Sequence, residues 1–319
     1  MNLDGKRVLI TGGHGFLGGY VRDAMARCGA DYISPPRREY DLTKSHDTRL
    51  LIKNIKPEIV IHLAADVGGI QYNKANPASV IYNNLAMGLN VIEECRRADV
   101  AKLVFVSTVC AYPKHCPTPF VESAMFDGYP EETNAPYGIA KRALGVMLDA
   151  YHRQHGMASA HLVLANLYGP GDNFDPASSH VIPGMICKMA AARASGARTA
   201  TLWGSGRPSR EFLYVADAAS AVLRAAESIG DPSPINIGTG CETTISLLAD
   251  IIAGETDFDG EINWDTSMPD GQPKRRLDVT QAKARMQWES STPLVDGIAN
   301  TVQWFLANRE TLGQRHVTQ

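Results

Sequence analysis

Apolar positions in this chain gather into short runs, separated by longer segments in which apolar and polar residues mix. Residues 6–11 ("KRVLIT") form a run too short for a helix and without strict alternation, which predicts a strand buried on both faces of a parallel sheet. The runs at 31–34 ("DYIS"), 58–65 ("EIVIHLAA"), 102–108 ("KLVFVST") and 158–167 ("ASAHLVLANL") have the same character. Between them, 15–29 reads as a helix closed by Gly29, and 77–97 and 137–155 read as long helices. Strands alternating with helices predict an α/β fold, a Rossmann-type doubly wound parallel sheet.

After Gly169 the pattern loosens. "GPGDNFDPASSH" is a polar, Pro/Gly-rich loop of the kind that lines a site. The remainder reads as short helices, turns and isolated strands, up to an amphipathic helix near 294–307. Residues 210–228 and 234–238 read as a helix and a strand returning to the first sheet. The expected division is a dinucleotide-binding domain of 1–168 plus 210–239, and a smaller mixed α/β substrate domain of 169–209 plus 240–319.

Composition narrows the class. The 319 residues are 44% apolar and 20% charged with a formal net charge of -3, so neither nucleic acid nor an anionic membrane surface is an expected partner. No apolar run approaches the roughly 18 to 20 residues of a membrane span. "MNLDGKRVLITGG" runs directly into the first strand, so no secretory signal is expected. A soluble, cytoplasmic protein is expected. Cysteines 28, 95, 110, 116, 187 and 241 form no CxxC pair, so neither a metal site nor a disulfide framework is expected.

"TGGHGFLG" changes the picture most. Gly12, Gly15 and Gly18 have the GxxGxxG spacing, with Phe16 and Leu17 between the last two, and the motif follows a strand and opens a helix. The first glycines bring backbone N–H groups near a pyrophosphate, and the third lets the helix pack closely, so a dinucleotide cofactor is expected. The second strand ends in "SPPRRE", where Arg37 and Arg38 suit a 2′-phosphate and favour NADP over NAD, although Glu39 stands next to them. Asp41 is placed to approach the adenine.

"YGIAK" puts Tyr137 and Lys141 four residues apart on one helix face. Alone, such a pair is commonly surface decoration. Behind a dinucleotide motif, and with the Thr108 hydroxyl at the end of the fourth strand, it reads as acid–base machinery. An ammonium next to a phenol is expected to lower the phenol's pKa. For Cys110 in "VSTVCAYPKHC" the residues themselves leave a packed core thiol as the ordinary reading. Tyr112 reads as structural.

With these pieces in place, the chain resembles the extended short-chain dehydrogenase/reductase superfamily through "TGGHGFLG", "HLAA" and "YGIAK". Within it, the chain is most similar to the GDP-L-fucose synthase family. That likeness runs through "HLAADVGGI", "CAYPK", "NLYGPGDNFDPASSHVIP", "WGSGRPSREFLYVADAA", "INIGTG", "PDGQPKRRLDV" and "TVQWFL". The resemblance implies an NADPH-dependent 3,5-epimerase-4-reductase acting on a GDP-4-keto-sugar. It gives Thr108, Tyr137 and Lys141 the carbonyl-holding, proton-donating and supporting roles, and Cys110 and His180 the epimerisation roles.

By the same resemblance Ala64, Ala65, Leu164, Asn166, Leu167 and His180 join Tyr137 and Lys141 at the cofactor. Asn166, Lys188, Trp203, Arg210 and Asp270 bind the sugar nucleotide, and a homodimer forms through the helices at 77–97 and 137–155. The sequence departs from the family pattern at Val109, at Leu164 and Ala165, and at His14, where an arginine is usual. Those departures leave open a related sugar such as a 6-deoxy-heptose. Two other classes stay open as well: a GDP-sugar epimerase that regenerates a retained NAD(H), and a non-catalytic nucleotide sensor.

Overall fold

The computed structural model describes residues 3–176, 178–268 and 270–315. In its first half the chain alternates as expected: β1 (Val8–Thr11), α1 (Phe16–Arg27), β2 (Tyr32–Ile33), α2 (Ser45–Ile55), β3 (Ile59–His62), α3 (Ile70–Ala75), α4 (Pro77–Arg97), β4 (Lys102–Thr108), α5 (Ala135–His155) and β5 (Ser159–Leu164). There follow β6 (Asn166–Tyr168), α6 (Val181–Ser195), β7 (Thr199–Trp203), β8 (Ser209–Arg210), β9 (Phe212–Tyr214), α7 (Val215–Ser228) and β10 (Pro234–Ile237). The chain ends with β11 (Thr243–Thr244), α8 (Ile245–Glu255), β12 (Glu261–Asp265), α9 (Thr280–Met286) and α10 (Leu294–Arg315).

Six strands form one parallel sheet in the order β10-β5-β4-β3-β1-β2. β2 and β3 flank β1 on opposite sides, so the connections diverge there and leave a crevice beyond the C-terminal strand ends. Strand side chains alternate between two cores. Val8, Ile10, Ile59, Ile61 and Val104 face the core shared with α1 and α7, while Leu9, Val60, Leu103 and Phe105 face α2, α4 and α5. A strand covered on both faces needs apolar residues at consecutive positions, which is the pattern that marked these runs.

A third apolar cluster joins α6, β7, α8 and α10 through Ile186, Met189, Leu202, Leu248, Ile252 and Val302. Leu277, Ala282, Met286 and Trp288 belong instead to the core beneath α7.

Some boundaries differ from expectation. The run 158–167 splits at Ala165: β5 stays in the main sheet and β6 leaves it to pair with β9. The segment 210–228 begins as strand and becomes helical only at Val215, because Phe212, Leu213 and Tyr214 favour extended pairing. Where short helices, turns and isolated strands were expected, α6 and α8 are regular helices of 15 and 11 residues. Both are apolar around much of their circumference, which hides the helical period.

Candidate active site

Backbone packs on backbone at the end of β1. Gly12 has φ +71, and a Cβ there would come within 2.6 Å of the Ala64 amide nitrogen at the end of β3. A Cβ on Gly18 would lie within 2.7 Å of the Gly13 carbonyl carbon, so only glycine lets α1 sit this close to the loop. The Gly15 N–H donates to the Gly12 carbonyl at 3.0 Å, and Gly15 N-caps α1, whose N-terminus therefore faces the crevice.

A cavity of about 250 Å³ opens there, walled by Gly12, Gly15, Arg37, Asp41, Ala64 and Ala65 among others. Arg38 is exposed and is not one of its walls. Sequence reasoning missed Tyr40, Asp66, Asn83 and Met87, which line it too. Asp66 lay within the quoted "HLAADVGGI" but carried no role. Its carboxylate accepts from the Tyr72 hydroxyl and from Asn83 Nδ2, each at 2.7 Å. The Asp41 carboxylate accepts from the Thr43 amide and hydroxyl, which hold it below the usual carboxylate range. His14 also lines the cavity, with its Nε2 within 3.0 Å of the Ser34 carbonyl.

Across the sheet, β4 ends at Thr108 and the chain turns through a short 3₁₀ segment, Val109–Ala111. The Thr108 hydroxyl oxygen caps that turn by accepting from the Cys110 amide at 3.1 Å, which leaves the hydroxyl hydrogen free to donate outward. α5 lies against this turn at Gly138, where a Cβ would collide with the Cys110 carbonyl. That close approach presents Tyr137 and Lys141 to the strand end. The Lys141 ammonium donates to the Val106 carbonyl at 2.9 Å and lies 4.8 Å from the Phe105 ring centroid and 5.7 Å from that of Tyr137. Thr108, Cys110, Tyr137 and Lys141 thus share one locus. Tyr112 is buried, its hydroxyl donating to Asn236.

Burial governs the charges here. Lys141 is buried with no carboxylate paired to it among the described residues, and its pKa falls to about 7. The Tyr137 phenol, expected to be lowered by its lysine neighbour, is instead raised: burial dominates, and the Cys110 charge adds to it. His180 N-caps α6 and is exposed as a residue, yet the protein packed around its ring disfavours the charged form and lowers its pKa. Its loop docks on the cavity side, since the Gly69 N–H donates to the Ser178 carbonyl at 3.0 Å.

Beyond this locus, Lys188 on α6 lies 4.7 Å from the Trp203 ring centroid and donates to the Thr201 carbonyl. Arg210 donates to the Ser209 carbonyl and to the Asp270 carbonyl. The Asp270 carboxylate accepts from the Ser205 amide and hydroxyl, each at 2.7 Å, and so ties down the turn after Trp203. Asn166 donates to the Glu211 carbonyl at 2.9 Å. Leu164 is buried at the end of β5, Leu167 is half-buried in β6, and Phe16 and Leu17 are half-buried in the first turn of α1. None of these lines the glycine-rich cavity, nor do Gly18, Tyr137, Lys141 or His180.

The model of the NAD dependent epimerase/dehydratase family matches residues 8–238, from β1 to just past β10. The chain belongs to that family. Among its curated relatives, the GDP-L-fucose synthase of Sinorhizobium fredii is 38% identical over 306 residues, covering 96% of this chain and 97% of the relative. A GDP-6-OMe-4-keto-L-xylo-heptose reductase from C. jejuni superposes with TM-score 0.90 at 27% identity, over 97% of this chain and 99% of that one. A GDP-L-fucose synthetase from Naegleria fowleri bound to NADP superposes with TM-score 0.88 at 28% identity, over 98% and 97%. As a family member the chain has the glycine-rich loop and the Tyr/Lys helix within the matched span, whereas Asp270 lies beyond it.

Proposed function

We propose that the protein is an NADPH-dependent epimerase-reductase that converts GDP-4-keto-6-deoxy-D-mannose, or a closely related GDP-4-keto-sugar, to GDP-L-fucose or its counterpart. One observation carries this reading: Thr108, Cys110, Tyr137 and Lys141 meet at one strand end in a chain 38% identical to a GDP-L-fucose synthase over 96% of its length. The glycine cradle at Gly12, and Arg37 in the cavity wall, suit the diphosphate and 2′-phosphate of NADP. When bound, NADPH supplies the hydride for C4.

The protein's own groups do the rest. A 4-keto group acidifies the C–H bonds at C3 and C5, because the electron pair left behind delocalises into an enolate. Cys110 and His180 remove and return those protons, and Thr108 donates to the keto oxygen through its free hydroxyl hydrogen. Tyr137 gives its proton to the C4 oxygen during reduction. A phenol raised by burial stays protonated at neutral pH, which is the form this step needs. Lys141 orients Tyr137 and the cofactor ribose. Arg210 and Lys188 hold the diphosphate, Trp203 offers a flat face, and Asp270 and Asn166 keep these groups in place.

The reading also takes 1–168 plus 210–239 as the cofactor unit and 169–209 plus 240–319 as the sugar-nucleotide unit. It extends to a homodimer through α4 and α5, on which Tyr82, Leu89 and Val146 are exposed. A cytoplasmic location suits such metabolism, and no helix among the described residues is long and apolar enough to cross a membrane.

Incubation with GDP-4-keto-6-deoxy-D-mannose and either NADPH or NADH, with product stereochemistry read by NMR, tests the reading. Stoichiometric NADPH consumption and a 3,5-inverted product are expected. Product without net cofactor oxidation would make the protein a cofactor-regenerating epimerase. The C. jejuni heptose reductase, together with Val109, Leu164 and Ala165, favours a second reading in which the sugar is a GDP-4-keto-heptose. Faster turnover of that sugar would decide for it.

A further inference from the structure

Cys110 does not stand alone. Arg275 Nη1 lies 3.5 Å from the Cys110 sulfur, and Arg275 is 7% exposed. The guanidinium is held from its other edge: Nε and Nη2 both donate to the Gln272 amide oxygen, at 3.1 and 3.0 Å. Gln272 in turn donates its amide hydrogens to the carbonyls of Pro113 and Lys114, at 3.3 and 2.9 Å. The loop carrying Arg275 is therefore latched to the same strand-exit segment that carries Cys110. A carboxylate fixes its far end, for Glu211 accepts from the Leu277 amide at 2.6 Å and from the Gly240 amide at 2.8 Å.

The charge balance is unusual. Among the described residues no carboxylate lies within ion-pair distance of Arg275; its side-chain acceptors are a neutral amide oxygen and a thiol. A buried cation without an anion is costly, and it favours whichever neighbour is able to become anionic. Arg210 on β8 adds positive potential at Cys110, while Tyr137 on α5 faces the thiol without positive charge. Glu131 and Asp270 act on Arg210.

We propose that Arg275 is a positioning residue for epimerisation, holding the Cys110 sulfur toward the sugar and stabilising it as the thiolate. This rests on the epimerase reading of Cys110. In the step it supports, the thiolate takes a proton from carbon next to the ketone. An S–H bond forms as the C–H bond breaks, and the electron pair passes into the enolate whose oxygen Thr108 holds. His180 in its protonated form then delivers a proton to the opposite face. Desolvation lowers the His180 pKa, so its imidazolium is the minor form at neutral pH and a stronger acid when it forms.

The test compares wild type with Arg275→Met, Arg275→Lys and Gln272→Leu. Peptide-resolved alkylation of Cys110 by iodoacetamide at neutral pH is measured, together with solvent-deuterium incorporation into the sugar. Arg275→Met is expected to slow both about tenfold or more, Arg275→Lys to recover much of the loss, and Gln272→Leu to fall between. NADPH binding by fluorescence should stay unchanged and reports that each variant is folded. Equal alkylation rates in wild type and Arg275→Met would overturn the proposal, as would a Lys variant no better than Met. A misfolded Met variant leaves the Lys and Gln272 variants to decide. If Cys110→Ala keeps normal exchange, the epimerase reading of Cys110 fails instead, and the alkylation series still judges Arg275.

Discussion

The glycine-rich cavity and the face that carries Lys188, Trp203, Arg210 and Arg275 are built in opposite ways. At the cavity, backbone meets backbone: Gly12 lies against Ala64, and Gly18 against Gly13, within two neighbouring strand ends of one sheet. At the other face, long side chains arrive from α6, β7, β8 and the loop before α9, and each is pinned by a neighbour's carbonyl, amide or ring. A cradle of backbone N–H groups recognises phosphate geometry and tolerates little change in shape. A ring of side chains is adjustable, which under the proposed function lets the same frame accept different sugars. In the proposed reaction, the seam at Thr108, Cys110, Tyr137 and Lys141 is where chemistry needs both partners in register.

Breaking the seam should have the largest effect. Tyr137→Phe is expected to slow hydride transfer by roughly 10²- to 10⁴-fold while NADPH binding persists, as followed by single-turnover absorbance at the nicotinamide band. Unchanged NADPH oxidation would refute the proton-donor assignment. Arg210→Met strikes only the side-chain face. It should raise KM for the GDP-sugar about 10- to 100-fold with little change in NADPH affinity, and parallel losses of both would show that the two regions are not separable.

Gly12→Val is the converse. It should weaken NADPH binding and lower stability by about 1–3 kcal/mol, because a Cβ cannot enter the gap before Ala64 and the backbone φ is positive. Denaturant unfolding and cofactor titration check it; wild-type values in both would mean that the close packing is not required.

The smallest effect is a pH slope. Lys141 has its folded pKa lowered to about 7 from 10.5. Between those values the unfolded chain holds a proton that the folded protein has released, so stability rises with pH across that window. The gain is at most about 1.4 kcal/mol per pH unit, and Lys141→Met should abolish it. Parallel stability curves for the two proteins from pH 7 to 10, in the absence of cofactor, would exclude this account of Lys141.

How much of this was legible follows from how each part is made. Consecutive apolar residues in β1, β3, β4 and β5 announced a doubly covered sheet, since each strand contributes side chains to both cores. The helices α6 and α8 were expected only as short helices without bounds, because an apolar circumference leaves no period to read. In the site, the glycine triplet and the Tyr/Lys pair were visible as local spacings, which local backbone geometry turns directly into positions. Arg275 was not: it reaches Cys110 across 165 residues of chain, and nothing in "PKRRL" distinguishes it from its basic neighbours.

In "VSTVCAYPKHC", the order of residues was enough to put a hydroxyl at a strand end and a thiol two residues later. The sequence by itself determined the sheet, the glycine cradle and the Tyr137/Lys141 pairing, because these depend on spacings within single strands and helices. Only the tertiary structure decided that the phenol is raised rather than lowered, that Arg37 and not Arg38 reaches the cavity wall, and that the thiol faces a buried guanidinium. Those outcomes depend on burial and on which distant charges share a low-dielectric space, and neither is written in local order.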